Sequence, residues 1–212
     1  MSDLNSNSTK PAEPDSTGSS ANIDRQAMGL RLRGIRKAQK LTLLALSERS
    51  GVALSTLSKM ELGQISISYE KFGAVARALK VDVSRLFDPA AARAGEKPPT
   101  FVHSAISSAP GYQSDQYDYR ALCADYPAKA MEPMYGRIVA RKASDFSDYI
   151  RHPGEEFVMV LSGSVRIEFE TGESVVVKRM ESVYFDSSVG HMYLSLGKTD
   201  AQIVVVMHDT AP

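Results

Sequence analysis

From residue 28 to residue 88 apolar residues recur every three or four positions, the spacing of helices with one buried face. The first helix carries Met28, Leu30, Leu32 and Ile35 among Arg31, Arg33, Arg36 and Lys37. Thr42 is placed to cap a second helix, Leu43 to Arg49, because a threonine oxygen can accept from the unpaired N–H groups of a first turn. Gly51 interrupts the pattern, a third helix follows over 54–62, and Gly63 fits the position just past its end. A fourth helix runs from Tyr69 to Leu79 with Phe72, Val75, Ala76 and Leu79 on one side, and Asp82 can cap a last turn ending near Phe87.

After residue 100 the texture changes. Short runs rich in Val, Ile, Tyr and Phe are separated by turn residues: FVHSAI, YDYRAL, MYGRIVA, EFVMVL, VRIEFE, SVVVK, SVYFD, HMYLSL and QIVVVMH. Many short strands at this spacing predict an antiparallel sandwich or barrel with no helix longer than a turn. Two further segments lack periodicity. Residues 1–24 are Ser-, Asn- and Pro-rich, with too little apolar surface to offset ordering entropy, and are expected to be disordered. Residues 89–100 read as a linker stiffened by Pro98 and Pro99. The expected division is therefore a tail over 1–24, an all-α domain over 25–88, a linker over 89–100 and an all-β domain over 101–212.

Charge adds an asymmetry hidden by a net charge of zero. Residues 28–88 hold eleven Lys/Arg against five Asp/Glu, a net of +6, and residues 101–212 hold ten against fifteen, a net of −5. The helical half thus suits a polyanion and the strand-rich half does not. No apolar run approaches the roughly 18 residues of a membrane span, and the polar N-terminus does not resemble a secretory signal. A lone cysteine, Cys123, cannot form an internal disulfide and reads as core filler, in keeping with a cytoplasmic protein.

Leu41 to Gly63 reads as two helices meeting at a sharp turn. Ala45, Leu46, Val52, Leu57 and Met60 form the seam between them, and Gly51 supplies the turn. The second helix then projects Leu54, Ser55, Thr56, Ser58 and Lys59. Small hydroxyls there can serve several base edges in a major groove, and Lys59 can reach a guanine acceptor or a phosphate. Arg31, Arg33 and Lys37 are candidates for phosphate contacts. Leu43, at the start of the preceding helix, offers no hydrogen bond but can pack on a thymine methyl.

These residues resemble the XRE-type, λ-repressor-like helix-turn-helix family over 28–88, including a G-V-x-x-S-T-L-S-K-M-E-x-G recognition segment. The resemblance implies an ion pair between Arg36 and Glu61, which moves Arg36 from DNA contact to structure.

In the all-β half the chemistry concentrates in Ile150–Gly163 and Ser182–His191. His152 and Glu156 are four apart, so in a strand they would share a face. With His191 they make a donor set for Zn, Fe or Mn if the three converge. The two stretches resemble the motifs of the cupin family, a double-stranded β-helix barrel. His152, Glu156 and Gly163 match the first motif and His191 the second, while Ile150 stands where the first motif has another histidine. That departure leaves two readings, a three-ligand metal site or a cavity for an organic effector alone. Tyr135, Arg137, Tyr184 and Tyr193 are further candidates to face the cavity.

The combination resembles the XRE–cupin regulators of bacteria. It implies a cytoplasmic homodimer that binds a palindromic double-stranded DNA operator, most commonly as a repressor, with a small-molecule effector in the barrel and no catalytic residues. The alternatives are a cupin metalloenzyme tethered to DNA and an antitoxin-like regulator that binds a protein.

Overall fold

The computed structural model describes residues 25–65, 69–81, 86, 98–127 and 129–208. The expected tail, most of the expected linker and the cap at Asp82 lie outside the described residues. Among the described residues, four helices come first: α1 (Arg25–Ala38), α2 (Leu43–Ser50), α3 (Leu54–Glu61) and α4 (Tyr69–Leu79). Thr42 caps α2 as expected, its Oγ1 accepting from the Ala45 N–H at 3.0 Å. Gly51 ends the same helix in the left-handed region, φ 69°, where a Cβ would be strained. The seam closes through Leu46, Val52, Leu57 and Met60, all buried, with Ala45 half-buried beside them. Leu30 falls outside the seam and is exposed.

Helix α1 crosses α3 closely at Gly29. A Cβ there would lie 2.5 Å from the Met60 carbonyl oxygen and 2.6 Å from that of Glu61. This approach brings Arg36, about two turns further along the same face of α1, onto Glu61. Arg36 Nε donates to Glu61 Oε1 at 2.5 Å and Nη2 to Oε2 at 2.8 Å, while Nη1 donates to the Leu41 carbonyl at 2.7 Å. Both side chains are buried. The Glu61 hydrogen bond comes first among the effects that raise the Arg36 pKa, ahead of burial, which opposes it.

Nine antiparallel strands follow among the described residues: β1 (Gly111–Gln113), β2 (Tyr117–Ala121), β3 (Met131–Ile138), β4 (Glu155–Ser162), β5 (Ser164–Phe169), β6 (Ser174–Lys178), β7 (Ser182–Asp186), β8 (His191–Leu196) and β9 (Ala201–His208). They form a six-stranded sheet, β1-β2-β3-β9-β4-β7, and a three-stranded one, β6-β5-β8. Met134, Ile138, Val158, Val160, Ile203 and Val205 of the first sheet share a core with Val165, Ile167 and Tyr193 of the second. A 3-10 turn at Ala143–Asp145 interrupts the segment before β4.

Eight of the nine apolar runs fall on strands. The first, FVHSAI, does not: residues 101–105 are irregular, and Phe101 is 77% and Ile106 45% exposed. With both large side chains in solvent, the run has no buried face on which to form a strand. The two halves touch through aromatic rings, Phe72 of α4 meeting Tyr112 of β1 edge-on with centroids 5.7 Å apart. Among the described residues no helix is long and apolar enough to cross a membrane.

Candidate functional site

Helix α3 buries Leu57, Met60 and Glu61 and turns its other faces outward. Leu54, Ser55 and Lys59 are exposed, and Thr56 and Ser58 half-exposed, so the projected set matches the sequence reading in placement. Arg33 is exposed. Two other DNA-contact candidates are engaged within the domain. Leu43 packs on the core, and Arg31 Nη1 donates to the Leu86 carbonyl at 3.4 Å.

A partly open cavity of about 460 Å³ is lined mostly by the barrel. Glu156 enters it because it occupies the same inward face of β4 as Val158 and Val160. His191 opens β8 on the opposite sheet. His152 precedes β4, held by its own N–H donating to the Ser187 carbonyl at 3.0 Å. The three converge: their ligand atoms all lie within 4.8 Å of one another. His152 Nε2 is 2.7 Å from Glu156 Oε1, and His191 Nε2 is 3.7 Å from Glu156 Oε2. Tyr193 donates its hydroxyl to the same Oε2, and its N–H donates to the Tyr117 hydroxyl at 3.0 Å.

The surroundings set the charge of each group. Burial opposes ionisation of Glu156, but the His152 hydrogen bond, the charges of both histidines and the Tyr193 hydroxyl hold its carboxyl below the usual range. Burial also works against a charged His152. There the hydrogen bond and charge of Glu156, with the Pro153 backbone, outweigh it and raise the pKa, while the Arg77 guanidinium of α4 opposes them. His191 is lowered, chiefly by burial. Burial pushes the Tyr117 and Tyr193 phenols up, so both stay protonated.

This donor set fits a divalent transition metal. His191 Nδ1 lies 2.9 Å from the Val189 carbonyl. A carbonyl only accepts, so Nδ1 carries the proton and Nε2 presents a lone pair to the cluster. Two ligands on one such ion, bonded at about 2.1 Å, stand roughly 3.0–3.4 Å apart. The 2.7 and 3.7 Å separations bracket that range, so small side-chain shifts suffice. Glu156 is ionised and oriented by Tyr193, the kind of outer partner that tunes a metal ligand. Ile150 also lines the cavity and bridges backbone to backbone with His191, so its side chain adds apolar wall and would not be a fourth ligand.

Of the four sequence candidates for the pocket, Tyr193 lines the cavity. Tyr135, Arg137 and Tyr184 do not, because each takes the outward phase of its strand. In β3 the inward positions are Met134, Gly136 and Ile138, and in β7 Tyr184, 61% exposed, alternates with Val183 and Phe185. Arg137 instead pairs with Asp118 at 3.3 Å and Asp200 at 3.5 Å. Sequence reasoning missed Tyr112, Tyr117 and Tyr119, which line the cavity from β1 and β2. Alternation in the YDYRAL run marks Tyr117 and Tyr119 as one face, but not as the inner one.

A helix-turn-helix family model matches residues 32–86, and a cupin domain model matches residues 139–207. Among solved structures, the chain is similar to an HTH_3 family transcriptional regulator from Vibrio cholerae, with 18% identity and a TM-score of 0.59. That likeness spans 88% of this chain and 97% of the other, and shows the fold. Hydroxypropylphosphonic acid epoxidase from S. wedmorenis is similar at 19% identity and a TM-score of 0.46, over 88% of this chain and all of the other. No curated protein matches the chain. The chain therefore joins an XRE-type helix-turn-helix DNA-binding domain to a C-terminal cupin domain, the make-up of an XRE–cupin transcription regulator.

Proposed function

We propose that this regulator is ligand-responsive: α3 reads a two-fold-symmetric operator, and a small-molecule effector in the barrel cavity sets operator affinity. The observation that carries this reading is the cavity wall, which joins the His152–Glu156–His191 cluster to Lys71 of helix α4 in the DNA-binding half. A ligand that prefers one arrangement of α4 against the barrel shifts operator affinity by that preference. In this reading residues 25–88 bind DNA, 89–100 link, and 101–212 sense and dimerise in the cytoplasm, with repression as the default output. The cluster anchors a ligand, and no turnover is assigned to it. Zn, Fe or Mn held by His152, Glu156 and His191 would supply a Lewis-acidic anchor for an oxygen-bearing ligand.

A dimer serves the operator because one small module reads few base pairs. The outer face of the large sheet supports the barrel as the contact. There Pro133, Val206, Phe157 and Tyr184 form a continuous cross-strand row, with Phe157 37% and Tyr184 61% exposed.

Lys59→Ala and Thr56→Ala test the reading helix. Each is expected to weaken operator binding by about 1–3 kcal/mol, measured by fluorescence anisotropy on an operator selected from random DNA. Thermal melting should not change, since neither side chain is buried. Unaltered affinity in both variants removes α3 from that role.

A further inference from the structure

Lys71 stands in the wall of a cavity that belongs to the other half of the chain. Its neighbours in the fold explain how it gets there. Phe72, the next residue, is buried in the helical core and meets Tyr112, which lines the same cavity. From Tyr112 the rings continue without a gap: to Tyr119 at 6.4 Å, Tyr117 at 5.3 Å, Tyr193 at 6.0 Å and His191 at 5.6 Å between centroids. Helix α4 is thus packed onto one end of an aromatic wall whose other end is the His–Glu–His cluster.

The charges along that wall are unequally committed. Arg151 is held by Glu170 at 2.5 Å and by Asp148 at 3.3 Å. Glu156 is held by His152 and Tyr193. Lys71 is exposed and makes no ion pair with any described residue. The same cavity holds a donor set that fits a divalent cation, whose charge one carboxylate would neutralise only in part. The rest of the wall offers phenol hydroxyls, the Gln116 amide, apolar ring faces and two carboxylates, Asp148, which pairs with Arg151, and Asp115, which is exposed. With a divalent cation in the cluster, two positive poles in a half-aromatic wall would suit an organic molecule carrying a negative group.

We infer that the cavity takes a small organic anion held between the His152–Glu156–His191 cluster and the ammonium of Lys71, so that helix α4 of the DNA-binding domain is itself part of the ligand site. This rests on the reading of the cavity as an effector site and names its ligand class. It also names the coupling: the ligand bonds to both halves of the chain at once, so binding stabilises their docked arrangement without an intervening relay.

The test uses the full-length protein loaded with Co(II) and two probes of equal shape, benzoate and neutral benzamide. Visible absorption of Co(II) reports binding, and hydrogen exchange of the α4 amides reports docking. Benzoate is expected to bind more tightly than benzamide and to slow exchange in α4. Lys71→Met, at an exposed position, should weaken benzoate about tenfold, abolish the slowing in α4 and leave Co(II) uptake and benzamide binding unchanged. Lys71→Arg should restore most of the benzoate affinity. Equal binding of the two probes, or benzoate binding in Lys71→Met at the wild-type level, overturns the anion site while leaving the metal intact. Failure to take up Co(II) overturns both the metal and the anion site. Operator binding is measured separately, so loss of the DNA-binding reading is distinguishable from either.

Discussion

Arg36→Ala is expected to cost about 3–5 kcal/mol of stability, the usual penalty for stranding one partner of a buried ion pair. The loss is large because three guanidinium bonds go at once: two to Glu61 and one to the Leu41 carbonyl. Glu61 is 6% exposed, so its carboxylate would be left charged without a partner. The carbonyl that ends the α1–α2 connection would lose its donor as well. Against a typical domain stability of roughly 5–15 kcal/mol, this is enough to unfold a substantial fraction of the helical half at moderate temperature. Replacing both partners, Arg36→Met with Glu61→Leu, should recover much of the loss, because no charge is then buried alone. Urea denaturation of the three proteins measures this. If Arg36 were instead a phosphate contact, Arg36→Ala would melt normally and lose only operator affinity.

The second large effect is expected at the cluster. His191→Ala, or His152→Ala together with His191→Ala, removes nitrogen donors from a set of three and should lower divalent-metal affinity on the order of 100-fold or more. Tyr193→Phe leaves all three donors in place but removes the hydroxyl that orients Glu156, and a loss of about 10–100-fold is expected. Affinity should also fall as pH falls. The neighbouring carboxylate raises the His152 pKa against burial, so protons compete with the cation for this nitrogen from a higher pH than at an ordinary histidine. Chelator competition with Zn(II) or Co(II) across pH 6 to 8 reads all three effects. Undiminished metal binding in the double histidine variant would place the ion elsewhere. The same variant should still bind operator, in a state that no longer responds to the cavity ligand.

What could be read in the sequence was local. Thr42, Gly51 and Gly63 mark helix ends through cap geometry that depends on a few adjacent residues, and the helix boundaries follow closely. Alternation located β2 to β9. Alternation divides a strand into two faces without saying which is inner, and this is why Tyr135, Arg137 and Tyr184 were candidates for a cavity they do not line. In β3 the inward face includes Gly136, whose lack of a side chain hides the pattern. Tyr193 and Glu156 were singled out separately, but their hydrogen bond across the two sheets depends on how the sheets stack. The three-residue β1 is too short to show a period, yet it carries Tyr112, whose ring meets Phe72 of α4. Lys71 gave no signal at all. A lysine on an amphipathic helix reads as solvated surface, and only the packing of Phe72 on Tyr112 places it at the cavity.

Selection of DNA from a random-sequence pool by the full-length protein asks directly whether α3 reads an operator. Enrichment of a two-fold-symmetric sequence with half-sites about one helical turn apart is expected. The enrichment should survive His152→Ala with His191→Ala and collapse in Lys59→Ala with Thr56→Ala. A pool with no enriched sequence, or one enriched equally by the Lys59→Ala, Thr56→Ala protein, would contradict that reading.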